Sequence, residues 1–165
     1  MNTNNNKINN INNNLLNKPD DILSIGNIFG MISGVITSIG FMYGMYGAKI
    51  DKKPIIIGLL SISLSDSISD AIGIYFGTDE NIYEALITLF SKFIIPFIIA
   101  FNFYILNINE AIIINTVLCF GLLIIVNYKL ENNKITKKLI NNILFIIIII
   151  FIIFNIGKVI NNLKI

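Results

Sequence analysis

The chain has 165 residues, 55% hydrophobic and 13% charged, with a mean hydropathy of +0.76. Soluble domains carry about 25% charged residues, so this composition is that of a membrane protein. The net charge is only +2, all twelve cations are lysine, and there is no basic cluster and no aromatic–basic interleaving, which argues against nucleic acid as a partner.

Histidine is absent and Cys119 is the single cysteine, so intrachain disulfides and a Cys/His zinc site are excluded. A metal would have to be held by oxygen, with methionine as the softer donor, a set that suits Mg, Ca, Mn or Fe(II). The dominance of isoleucine and asparagine fits AT-rich coding, so many isoleucines read as generic apolar residues.

Residues 1–18 (MNTNNNKINNINNNLLNK) form a low-complexity, Asn-rich tail with too little apolar surface to fold. The tail lacks the apolar core and cleavage site of a signal peptide. Pro19, Asp20 and Asp21 then supply a helix start.

Residues 19–162 read as an all-α, polytopic membrane domain, a bundle of five transmembrane helices of about 20 apolar residues each. The expected spans are 22–48, 55–77, 85–106, 111–128 and 139–160. They are separated by KIDKKP (49–54), TDENIYE (78–84), a tight turn at 107–110 and the lysine-rich stretch 129–138. Five spans put the termini on opposite sides of the bilayer. Lys7, Lys18, Lys92, Lys129, Lys134, Lys137 and Lys138 fall towards the N-terminal side, and Lys49, Lys52, Lys53, Lys158 and Lys164 towards the other. That bias favours a cytosolic N terminus.

In the first span, Gly26, Gly30, Ser33, Gly34, Thr37, Gly40, Gly44 and Gly47 share one arc of roughly 140° at about 100° per residue. Gly26-Gly30-Gly34 and Gly40-Gly44 are small-xxx-small patterns that let helix backbones approach closely, within the protomer or across a homodimer. Met31, Met42 and Met45 line a neighbouring strip. Packing is the ordinary role of such residues, and Met42 and Met45 are also candidate thioether donors.

The second span carries SISLSDSISD (61–70), too polar for lipid contact all round. With Asp66 as reference, Asp70, Ser63, Gly73 and Gly77 lie within about 60°, Ser67 and Ser69 flank them, and Leu60, Leu64, Ile68, Ala71 and Tyr75 cover the back. A carboxylate at the bilayer centre costs on the order of 3 kcal/mol on insertion scales, so such residues are rare and mark function. Two carboxylates one turn apart in low dielectric need a counter-charge: a divalent cation, a proton or a lysine. Lys92 in the third span is the candidate lysine, placed closer to the depth of Asp70 than of Asp66. The third span also holds Pro96, which can kink a membrane helix, and Asn102. Asp79, Glu80 and Glu84 form an acidic mouth that either attracts cations or is simply solvated.

The segments SGVITSIGFMYGMYGA (33–48) and SDSISDAIGIYFG (65–77) resemble the first two helices of the vacuolar iron transporter family, and more narrowly its short microbial relatives. The positions that match the family's first helix are Ser33-Gly34, Thr37 and Gly47-Ala48; those that match the second are Ser69, Gly73, Ile74 and Tyr75. Ser33 and Ile74 stand where that family has acids, and TDENIYE replaces its acidic metal-gathering insert. The resemblance implies proton-coupled export of Fe(II) or Mn(II) by a homodimer, with the ion path between the first two helices at the dimer interface.

The expectation is therefore a transporter of divalent metal cations embedded in the lipid bilayer, with the metal as transported substrate and no permanently bound cofactor. Asp66 and Asp70 would be ligands or proton carriers, and Ser63, Ser67, Ser33 and Thr37 neutral oxygen donors. The alternative is a non-transporting membrane scaffold with the aspartates paired to Lys92. An enzyme is not expected: both aspartates share one helix, neither has a Gly-x-Gly-Asp context, and no Ser/His pair or nucleotide loop exists.

Overall fold

The computed structural model describes residues 24–79, 81–130 and 137–163. The expected tail at 1–18, Glu80, Lys134 and Lys164 lie outside the described residues, as does the side chain of Lys138. The described residues form five helices: α1 (Ile25–Gly47), α2 (Lys52–Gly77), α3 (Ile82–Ile105), α4 (Ile108–Leu130) and α5 (Lys137–Asn162). All five contain stretches long and apolar enough to cross a membrane, which makes the chain an integral, multi-pass, all-α membrane protein.

Each helix begins and ends where side-chain and turn chemistry allow. Ser24 caps α1 by accepting from the Asn27 amide at 3.2 Å, and Asn81 caps α3 by accepting from the Tyr83 and Glu84 amides. At the end of α1, Lys49 takes a left-handed backbone (φ 55°) and the Ile50 amide reaches back 3.1 Å to the Met45 carbonyl, closing the helix with a Schellman-type turn. Tyr46 and Tyr104 lie at one end of the bundle, and Tyr75, Tyr83 and Tyr128 at the other, the levels at which tyrosines are enriched in spanning proteins.

α3 is the axis of the bundle. α1 and α2 both pack closely on it and less closely on each other, while α5 packs on α1. The first-span glycines explain this arrangement. A Cβ on Gly30 would stand 2.7 Å from the Thr88 carbonyl, and one on Gly34 3.0 Å from that of Lys92, so the N-terminal half of the stripe lies against α3. Gly40 and Gly44 meet Ile153, and Gly47 meets Phe154, so the C-terminal half lies against α5. The close helix packing expected of Gly26, Gly30, Gly34, Gly40 and Gly44 is present inside the protomer, and the stripe is not a free dimer surface.

α4 places Ala111, Ile112, Cys119 and Leu123 in the apolar core and adds polar contacts to α1 and α3. Tyr43 and Thr116 hydroxyls pair at 2.9 Å, Tyr46 donates to Asn109 at 3.1 Å, and Asn102 donates to fully buried Asn115 at 2.6 Å. In lipid, where no apolar driving force separates helix from tail, such hydrogen bonds carry a larger share of association.

Candidate functional site

The site is assembled from three helices at mid-bundle. Lys92 is near the midpoint of α3, with its side chain only 3% exposed. Pro96 follows one turn later, buried, and cannot donate to the carbonyl of Lys92 four residues back. That carbonyl is the atom against which Gly34 of α1 packs. Close approach of α1 to α3 thus occurs at the residue that carries the ammonium.

From α2, Asp66 and Asp70 reach the same nitrogen. Lys92 Nζ lies 2.7 Å from Asp66 Oδ2 and is also hydrogen-bonded to Asp70 Oδ2. From α1, Ser33 donates to Asp70 Oδ2 at 3.0 Å and Thr37 donates to Asp66 Oδ2 at 3.1 Å. At 1.5 Å per residue the two carboxylates lie about 10 and 16 Å from the C-terminal end of α2, well inside the bilayer. Lys92 serves both, not Asp70 alone.

Two features remain after this pairing. Two carboxylates face one ammonium, so the cluster is formally one positive charge short when all three are ionised. Each aspartate uses only Oδ2; neither Oδ1 has a protein partner among the described residues. The side chains are 36% and 21% exposed, so the cluster is not sealed on the α1–α2 side. Along α1 a groove of about 550 Å³, walled by Ile25, Ile28, Phe29, Ile32 and Ile36, includes Ser33 and Thr37.

The other candidate residues are placed elsewhere. Ser63 and Ser67 are fully buried with Ile55, Leu59 and Ala71 on the α2 face that meets α3. Ser63 donates 2.8 Å to the Phe93 carbonyl and Ser67 3.0 Å to the Leu64 carbonyl, so both satisfy backbone rather than the carboxylate cluster. Ala71, on the expected lipid- or core-facing back of α2, is buried, whereas Gly73, expected on its polar front, is exposed with nothing within 4 Å of its Cβ position. Met42 is wholly buried in the apolar core and Met45 packs against that core; neither stands at the carboxylates.

Glu84 is also reassigned. Its Oε2 accepts from the Gly26 amide at 2.7 Å, so it caps the positive end of α1 from the first turn of α3. Asp79 is exposed in the α2–α3 turn with φ 50°. Among the described residues no three His, Cys, Asp or Glu side chains gather as a metal cluster; the oxygen donors at the site are two carboxylates and two hydroxyls. No family model, curated protein or solved structure matches the chain.

Proposed function

We propose that this protein is a membrane transporter of divalent cations, with Fe(II) or Mn(II) as cargo and protons as the coupling ion. One observation carries the reading: a carboxylate pair deep in the membrane that, among the described residues, is short of one positive charge and has an unpartnered oxygen on each member. Charge of this kind in low dielectric is balanced by a proton or a cation.

The chemistry follows from the donor set. Asp66 and Asp70 carboxylates with Ser33 and Thr37 hydroxyls offer hard oxygen ligands, which suit Mn(II) and Fe(II) along with Mg and Ca. The resemblance of 33–48 and 65–77 to the vacuolar iron transporter family selects the first two among these. Lys92 is the resident cation. Arrival of a divalent ion displaces its ammonium from the carboxylates, and departure of the ion or of a proton lets it return.

A second reading is favoured by the same lysine. Lys92, Ser33 and Thr37 tie α1, α2 and α3 together through two carboxylates, which is also what a membrane scaffold without transport would need. Metal uptake into proteoliposomes separates the two. Transport predicts Fe(II) or Mn(II) uptake by the parent and its loss in Asp66→Asn and Asp70→Asn; equal uptake by parent and variants would sink it.

A further inference from the structure

A second, chemically opposite site lies at the other end of the bundle. The end of α1, the turn before α2 and the turn before α4 surround a cavity of about 660 Å³ that includes Tyr46, Lys49, Lys52, Lys53 and Asn109. We propose that this cavity binds a phosphate anion at the membrane surface, presented by a lipid headgroup or free in solution. The inference is independent of the transport reading.

Three lysines line it against one acidic residue, Asp51. None of the three lysines makes an ion pair among the described residues. Asp51 occupies the N-cap of α2, but its side chain makes no capping hydrogen bond, and Pro54 in the first turn has no amide proton. The amides of Lys52 and Lys53 are therefore unclaimed by a side-chain cap and add to the positive end of the helix dipole. Across the cavity, Asn109 accepts from Tyr46 through Oδ1, which leaves its NH₂ as a neutral donor. Glu110 does not neutralise the lysines, since its Oε2 accepts from the Asn107 backbone and side chain.

Depth favours the same ligand. Tyr46 and Tyr104 mark this end of the bundle as the headgroup level, where a lysine cluster between helix ends meets lipid phosphates. The left-handed Lys49 turns the chain so that lysines on both sides of the turn share one cavity, a convergence that residues 49–53 do not announce as a linear basic run.

The test uses the purified full chain in neutral detergent, with thermal unfolding read after adding phosphatidylglycerol, phosphatidylcholine or inorganic phosphate. Phosphatidylglycerol should raise the midpoint by about 5 °C at saturation, with phosphatidylcholine inert. The Lys49→Gln/Lys52→Gln/Lys53→Gln variant should lose most of that shift, and Lys158→Gln, at the same end of the bundle, should keep it. A matching shift with inorganic phosphate identifies the free anion as sufficient, and its absence identifies the lipid. The proposal is overturned if no phosphate species shifts the midpoint, if the triple variant responds like the parent, or if Lys158→Gln loses as much. Should the triple variant fail to fold, native mass spectrometry of Lys52→Gln decides: it must retain fewer phosphatidylglycerol molecules than the parent.

Discussion

The Lys92 ammonium holds Asp66 Oδ2 at 2.7 Å and Asp70 Oδ2 as well, so one buried cation on α3 sets the position of both carboxylates on α2. Removing it while leaving them strands two negative charges in the membrane. Breaking a buried pair this way costs about 3–5 kcal/mol, reduced here by the partial exposure of Asp66. Lys92→Met should therefore lower the unfolding midpoint by several degrees, and adding Asp66→Asn and Asp70→Asn should restore most of it. A midpoint for Lys92→Met equal to that of the parent would show that the clasp does not hold the bundle together.

Close approach of α1 and α3 makes a sharper prediction from paired glycines. A Cβ on Gly30 would stand 2.7 Å from the backbone carbonyl of Thr88, whereas one on Gly73 would meet nothing within 4 Å. Gly30→Ala should destabilise by about 1–3 kcal/mol, because a backbone carbonyl cannot move aside as a side chain can. Gly73→Ala should be neutral or stabilise by up to about 1 kcal/mol through helix propensity. Chemical denaturation of the two variants in one detergent checks the sign of each.

The five helices are legible in the sequence because a lipid-spanning segment must satisfy its own backbone and be apolar over a fixed length. α2 begins at Lys52 instead of Ile55 and α4 at Ile108 instead of Ala111, since polar first turns still form helix outside the apolar run. The core of the site was legible too. Two aspartates one turn apart, with a lysine in the next span, demand pairing in low dielectric, and Ser33 and Thr37 share the arc that meets them. What periodicity did not reveal is which neighbour each face meets. Ser63 and Ser67 lie near Asp66 by angle, yet α3 lies against that side of α2, and their hydroxyls bond backbone carbonyls instead, Ser63 that of Phe93 in α3 and Ser67 that of Leu64 in its own helix. The glycine stripe divides between α3 and α5 for the same reason: an arc specifies a face of one helix but carries no information on its partner. Sequence alone groups Glu84 with an acidic mouth because its partner, a backbone amide 58 residues away, has no side-chain signature.

That Glu84 contact is testable in its own right. Its carboxylate accepts from the Gly26 amide at 2.7 Å, adding a charged acceptor where the α1 dipole is positive. Glu84→Ala should cost about 1–2 kcal/mol, and Glu84→Gln, which keeps an acceptor but not the charge, about half as much. Hydrogen exchange at the start of α1 should rise in the same order; unchanged protection at Gly26 in Glu84→Ala would refute the capping role.

Thr37 separates the stability role of the cluster from the cation binding proposed for it. Its hydroxyl donates 3.1 Å to Asp66 Oδ2, a position next to the Lys92 ammonium, and its methyl group is retained in valine. Hydrogen bonds between membrane helices average about 0.6 kcal/mol, so Thr37→Val should shift the unfolding midpoint by no more than a few degrees. A bound divalent ion would lose a neutral oxygen ligand beside Asp66, and hard cations depend on ligand number. Initial rates of Mn(II) uptake into proteoliposomes should then fall several-fold in Thr37→Val while the protein remains folded. Ser33→Ala should do the same from the Asp70 side. If both variants transport at the parental rate, the hydroxyls are not ligands of a transported cation and serve only to position the carboxylates.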